Sequence, residues 1–438
     1  MSLVPAAWRA ACALRRRAAP ARRLPPALAL ALATVAFAPS AHAATLDELV
    51  AAAMGSYPSV QAARANAAAA ESELGTARWG RYPSVSVETA SAATAGAMRG
   101  HGLVRVDQPL WAGGRIESGI ERAERRLAAA QAGVEEAQTD VGVRATQAWA
   151  EAQRQARRAA LLDESLREHE RLVESMRRRV QQEVSPASDL QLAVARALQV
   201  EADRQQALGG LDAALARLSE LAGRRVQAAE LRELRLEPAR DQVAPAGLLD
   251  EALAFDARLR RLGAEAQAAE SEVALRRAAL LPQVNLRYER QRHLPEQVYV
   301  VLQAQTDAGL SRLTERDAAS RRREAAQQSL QAAERELRDA LGADLSENRF
   351  AFDRVRAGAA AADAAQGVTD SFLRQFTAGR RTWSDVLNAV RDAVAARLAL
   401  ADAQASAVAS GARLRLRSGR WQPLQNPTPA AAAAGEMR

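Results

Sequence analysis

The chain has no lysine, one cysteine, four histidines and few aromatic residues, and each shortage narrows what it can be. Cys12 falls in the segment read below as a leader. The mature chain is therefore expected to carry no disulfide, no thiolate metal site and no cysteine for a lipid anchor. Aromatics make up only 4% while alanine is abundant, a composition suited to thin helical layers packed at close range rather than to a compact globular core. Every basic residue is arginine, read as a bias of genome composition without mechanistic meaning. His42 leaves with the leader. His101, His169 and His293 have no metal-ligand spacing and read as exposed loop or helix positions. No nucleophile elbow or phosphate-binding glycine loop occurs, so neither enzyme activity nor a cofactor is expected.

Residues 1–43 read as a signal peptide. Arg9, Arg15, Arg16, Arg17, Arg22 and Arg23 precede an apolar run at 27–38, and Ala41-His42-Ala43 supplies a small-x-small cleavage site. The apolar run is too short for a membrane anchor, which needs roughly 20 residues. The six arginines account for most of the net charge of +8 and their removal leaves +2, so the high isoelectric point does not predict a nucleic-acid partner.

What the chain does have is repetition. Glu71-Ser72-Glu73-Leu74 followed by Pro83-x-Val85-x-Val87 returns as Glu270-Ser271-Glu272-Val273 followed by Pro282-x-Val284-x-Leu286, and Ser188-Asp189-Leu190 matches Ser384-Asp385-Val386. A spacing of about 200 residues is too long for a solenoid unit and predicts duplication of a whole half-protein. The expected organisation is a first repeat at 44–223, a linker at 224–247, a second repeat at 248–418 and a disordered low-complexity tail at 419–438.

Within each repeat the helical signal dominates. Ile116, Ile120, Ala123, Leu127, Ala130, Val134, Ala137 and Val141 form a strict heptad seam, and Leu208, Leu211, Leu215, Leu218 and Ala222 form a second. No proline occurs between Gly114 and Gln182, so one helix of about 70 residues and roughly 100 Å is expected. Ser185 is read as the cap and Pro186 as the first-turn residue of a return helix that ends at Gly223. Helices at 46–79 and 186–222 are each about half as long. Two of them stacked end to end match one long helix, and 248–280 with 381–417 repeats this arithmetic against 312–378.

Between the helices lie alternating segments. Val284, Leu286 and Tyr288 share one face of a strand, while Gln283, Asn285, Arg287 and Glu289 share the other. A partner at 297–306 sorts Val298, Val300, Leu302 and Ala304 from Gln297, Gln303 and Gln305. Hairpins are expected at 82–110 and 282–308. Strands of about 10 residues have the length to cross a bilayer at a tilt, although a soluble hairpin shows the same alternation. Four strands do not close a barrel, and an open edge in lipid leaves unpaired backbone groups. If the strands span a membrane, several protomers must share one barrel.

Pro109-Leu110-Trp111-x-Gly113-Gly114-Arg115 resembles the Pro-Leu-aromatic-x-Gly-Gly signature of TolC-type outer-membrane efflux proteins. Phe376-x-x-Gly379-x-x-Thr382-x-x-Asp385-Val386-Leu387-Asn388-Ala389 resembles that family's second periplasmic hairpin tip. The resemblance covers nearly all of the mature chain. It implies a mostly α protein with a transmembrane β portion, assembled as a homotrimer with a 12-stranded β-barrel and a long α-helical barrel. It further implies a passive duct between the outer-membrane lipid and the periplasm, working with a periplasmic adaptor and an inner-membrane ABC exporter or proton-driven pump. The family assigns a gate role to an arginine at the position of Arg381 and constriction acids at those of Asp385 and Asn388, the second of which is not an acid here. On a threefold axis three copies of Asp385 would attract cations, while Thr382 and Asp385 also read as a helix cap and first-turn acid. Tip and adaptor contacts are expected at Glu183, Ser185, Pro186, Asp189, Phe376, Gly379 and Thr382. Glu183 stands where relatives serving drug pumps often carry glycine, and the second half has Asp307-Ala308-Gly309-Leu310-Ser311 in place of the glycine turn. Together these look closest to members serving type I protein secretion. A periplasmic coiled-coil adaptor or a soluble structural coiled coil are the competing readings, and neither calls for two hairpins of bilayer length at matched positions.

Overall fold

The structure is a computed structural model describing residues 45–94, 97–231, 234–291, 294–304 and 311–424. The expected leader and most of the expected tail lie outside the described residues, as do His293 and the segment 307–310. The first half runs α1 (Leu46–Ser56), α2 (Pro58–Trp79), β1 (Ser84–Thr94), β2 (Ala97–Trp111), α3 (Arg115–Gln181) and α4 (Ala187–Ala222). After a short connecting helix α5 (Pro238–Asp241), the second half runs α6 (Leu248–Phe255), α7 (Ala257–Ala278), β3 (Gln283–Gln291), β4 (Gln297–Gln303), α8 (Ser311–Thr377) and α9 (Trp383–Arg417). The halves repeat element for element, and α3 and α8 are both 67 residues long.

Two expected helices are interrupted. The helix read over 46–79 breaks at Tyr57, because Pro58 has no N–H to continue α1 and instead starts α2 from its first position. The helix read over 248–280 breaks at the equivalent place, where the Asp256 side chain accepts from Leu259 N at 2.8 Å and restarts the chain as α7. The return helix begins one residue later than expected. Pro186 is extended and is itself the cap residue, while Ser185 Oγ accepts from Arg179 Nε at 3.3 Å and caps nothing.

Every residue of the first heptad seam is buried or half-buried, and those of the second are too. In α3 a second buried row, Ala129 and Ala132, appears because this helix has neighbours on several sides: α1, α2 and α4 from its own half, α7 and α9 from the other. Ion pairs lace α3 to α7, including Arg122 with Glu272 at 2.5 Å and Arg261 with Glu136. His169 corrects the sequence reading. It is buried, with Nδ1 2.9 Å from the Ser165 carbonyl one turn back, rather than exposed. The His101 side chain lies outside the described ones. No helix among the described residues is long and apolar enough to cross a membrane.

The strands make one antiparallel sheet in the order β1-β2-β3-β4, so the hairpins of the two halves join through β2 and β3. The register aligns the apolar positions: Val85 faces Val106, Val106 faces Tyr288, and Tyr288 faces Val298. Leu286 pairs with Val300 and Val284 with Leu302. The expected strand at 297–306 ends at Gln303, with 305 and 306 outside the described residues.

The connecting segment is clasped against the second half. Asn348 in α8, 2% exposed, donates from Nδ2 to the Asp241 carbonyl at 3.0 Å, the Ala407 carbonyl at 3.3 Å and Ser410 Oγ at 3.0 Å, and accepts from Val243 N at 3.2 Å. Gly411 permits this approach, since a Cβ there would lie 2.3 Å from the Asp241 carbonyl oxygen. Burial pushes the Asp241 carboxyl above its ordinary value, although its Oδ1 lies 3.4 Å from Arg415.

Candidate functional site

Two regions carry the chemistry. The first is the sheet, whose two faces are sorted by polarity. On one, Val85, Val87, Leu286, Val298, Val300 and Leu302 are exposed, with Val298 at 65% and Leu302 at 69%. Burying such side chains stabilises by about 1.5–3 kcal/mol each, so an apolar face left in water is unfavourable. The other face carries a ladder of ion pairs, Arg105 with Glu289 at 2.7 Å and Arg287 with Asp107 at 2.6 Å. β1 and β4 each present one unpaired edge. At the end of β2, Gly113 and Gly114 take positive φ angles of 60° and 84° to turn the chain into α3, and a Cβ on Gly113 would meet Leu281 Cβ at 2.8 Å. The Gly-Gly of the Pro-Leu-aromatic-x-Gly-Gly run thus serves a turn that larger residues do not fit.

The second region is the opposite end of the long helices, where the turns α3–α4 and α8–α9 come together. Met176 and Ala193 from the first turn pack with Trp383, Val386, Leu387 and Val390 from the second, in one buried cluster that also takes in Phe372 and Phe376. Thr382 caps α9 through a reciprocal box: its Oγ1 accepts from Asp385 N and its own N–H donates to Asp385 Oδ2, both at 3.3 Å. Asp385 is therefore engaged in its own helix start, with Arg381 3.8 Å away. Arg381 also lies over the Phe372 ring at 4.4 Å and donates to Gln375 Oε1 at 3.3 Å. Asn388, Gly379, Glu183 and Pro186 are exposed, while Ser185, Asp189 and Phe376 are half-buried.

The two turns use the same helix-ending geometry with different residues. Gly379 sits in the left-handed region at φ 72°, followed by a bond from Arg380 N to the Gln375 carbonyl. Glu183 takes the equivalent place at φ 58°, followed by a bond from Val184 N to the Arg179 carbonyl. It is the one non-glycine residue with positive φ among those described.

Sequence reasoning missed Arg179. Its guanidinium covers the Phe376 ring at 4.7 Å while Nε holds Ser185, so this side chain joins both turns. A run of three arginines, 177–179, is its only trace in the sequence, and nothing there marks Phe376 in the other half as its partner.

Residues 49–224 match the family described as outer membrane efflux protein. That span falls short of half of the chain, and the match bears out the resemblance to TolC-type efflux proteins drawn from its motifs. Among curated proteins none matches the chain. Among solved structures it is similar to the outer membrane protein VceC of Vibrio cholerae, at 18% identity over 85% of this chain and 96% of that one, with a TM-score of 0.76. A membrane protein of Pseudomonas aeruginosa gives 16% identity, 85% and 92% coverage and a TM-score of 0.76. The MtrE outer membrane channel of Neisseria gonorrhoeae gives 16%, 85% and 88%, and 0.72. At these identities the likeness establishes the fold, including the second half that the family match does not reach.

Proposed function

We propose that this protein is the outer-membrane duct of a tripartite export system, a passive channel rather than an enzyme. The observation that carries the reading is a four-stranded sheet with an exposed apolar face and two unpaired edges, at one end of a pair of 67-residue helices. An open edge in hydrocarbon costs several kcal/mol per unpaired backbone group, so edges β1 and β4 call for neighbours. Three copies supply a closed 12-stranded barrel, with the apolar face toward lipid and the ion-pair ladder toward the lumen. The helices continue the bore into the periplasm.

In this reading the joined turns form the periplasmic entrance. Arg381, Asp385 and Asn388 line it, and Glu183, Ser185, Pro186, Asp189, Phe376, Gly379 and Thr382 meet a periplasmic adaptor that links the duct to an inner-membrane transporter. Glu183 in the left-handed position, where drug-pump relatives often have glycine, favours the type I protein-secretion branch over small-molecule efflux. Fractionation and detergent mass measurement test the duct: a trimer from the outer membrane that conducts in planar bilayers is expected, and a soluble periplasmic monomer overturns it. Crosslinked co-purification of an ABC exporter supports the secretion branch, whereas recovery of a proton-driven pump refutes it.

A further inference from the structure

Charge at the entrance is lopsided, which has a consequence that rests on the duct reading. On the second turn Arg374, Arg380 and Arg381 stand against Asp370 and Asp385, an excess of one positive charge per subunit. Arg374 and Arg380 are exposed and have no carboxylate within 4.0 Å among the described residues. Asp385, the acid that a cation-attracting ring would need, is committed to the α9 cap and lies 3.8 Å from Arg381. Asn388 adds no charge. On the first turn the arginines are largely matched, with Glu174 pairing Arg177 at 2.8 Å and Arg178 at 3.6 Å beside Glu183 and Asp189.

We propose that the periplasmic mouth is an anion-preferring ring that admits acidic cargo segments and small anions ahead of cations. Three subunits on one axis bring six such arginines, Arg374 and Arg380 from each, and a net excess of three positive charges from the second turns, to the entrance. A unit charge about 8 Å away in water alters the local concentration of a monovalent ion about twofold, and several such charges around a constriction compound the effect. The field acts whatever the direction of each flexible side chain. It weakens as salt shortens the screening length from about 10 Å at 0.1 M to about 3 Å at 1 M.

The test is the zero-current potential of the full-length channel in planar bilayers under a KCl gradient, at low and high salt. The expected result is chloride preference that shrinks with salt, a several-fold shift toward potassium in R374Q/R380Q, and reversal in R374E/R380E. Both arginines are exposed and lack ion-pair partners among the described residues, so the fold should tolerate their loss, and conductance itself reports assembly. A conducting wild-type channel that prefers potassium, or a preference unmoved by either variant, overturns the proposal and leaves the duct standing. Loss of adaptor capture with unchanged selectivity also overturns it, assigning these arginines to docking. Absence of any conductance removes the duct reading and this inference with it.

Discussion

Replacing Asn348 with alanine should release the connecting segment from the second half of the molecule. Its carboxamide has two N–H hydrogens for the three acceptors within reach, so at most three bonds count at once, including the one accepted from Val243 N. At about 1 kcal/mol net per bond the loss is about 3 kcal/mol, and the half-buried Val243 N–H left unpaired adds to it. Since 1.4 kcal/mol is a factor of ten, the open population of the segment should rise by roughly two orders of magnitude. Trypsin reads this out: Arg235 and Arg240 lie just before the clasped residues and are exposed, and when opening is fast relative to cleavage the rate follows the open population. Gly411→Ala should accelerate cleavage through a different cause, a Cβ placed 2.3 Å from the Asp241 carbonyl oxygen. Gly358→Ala is the control, because its Cβ would make an ordinary 3.5 Å contact with Leu400 Cα. Cleavage of Asn348→Ala within threefold of wild type would refute the reasoning.

Three further outcomes are expected. Glu183→Gly removes a Cβ from the left-handed region and should stabilise the first turn by about 1 kcal/mol, seen as slower hydrogen exchange in neighbouring amides; faster exchange there would count against the strain. Burial raises the Glu272 carboxyl, but hydrogen bonds from Arg122 and Arg276 outweigh it and hold the group below its ordinary 4.5. A depressed folded-state value means that the stabilisation is fully present above about pH 4.5 and is lost as pH falls through the folded value. Amides of α7 should therefore exchange faster in that acid window, and Glu272→Gln should abolish the step. Val300→Arg puts a charge on the apolar sheet face at about 2–4 kcal/mol near the bilayer midplane, and outer-membrane recovery should drop sharply; unchanged recovery would mean that this face does not meet lipid.

Much of the architecture was legible because it rests on short-range periodicity. Heptad spacing gave α3 and α4, alternation gave the faces of β3 and β4, and Thr382 with Asp385 read directly as a cap. Each depends on residues within a few positions of one another, where propensity and hydrogen-bonding rules act. Pro58 is equally local, since its missing N–H alone accounts for the break between α1 and α2. His169 was not legible, since the same helical position is wet or dry according to what packs on it.

The sequence by itself determined the two 67-residue rods, the duplicated hairpins and the chemistry of their turns, because these follow from periods of 2 and 3.5 and from single proline and glycine positions. Only the tertiary structure decided that β2 joins β3, that Arg179 reaches Phe376 and that Asn348 holds Asp241 across more than a hundred residues. Such contacts are selected by shape and burial after the helices have packed, and no spacing along the chain encodes which distant partner fills the space.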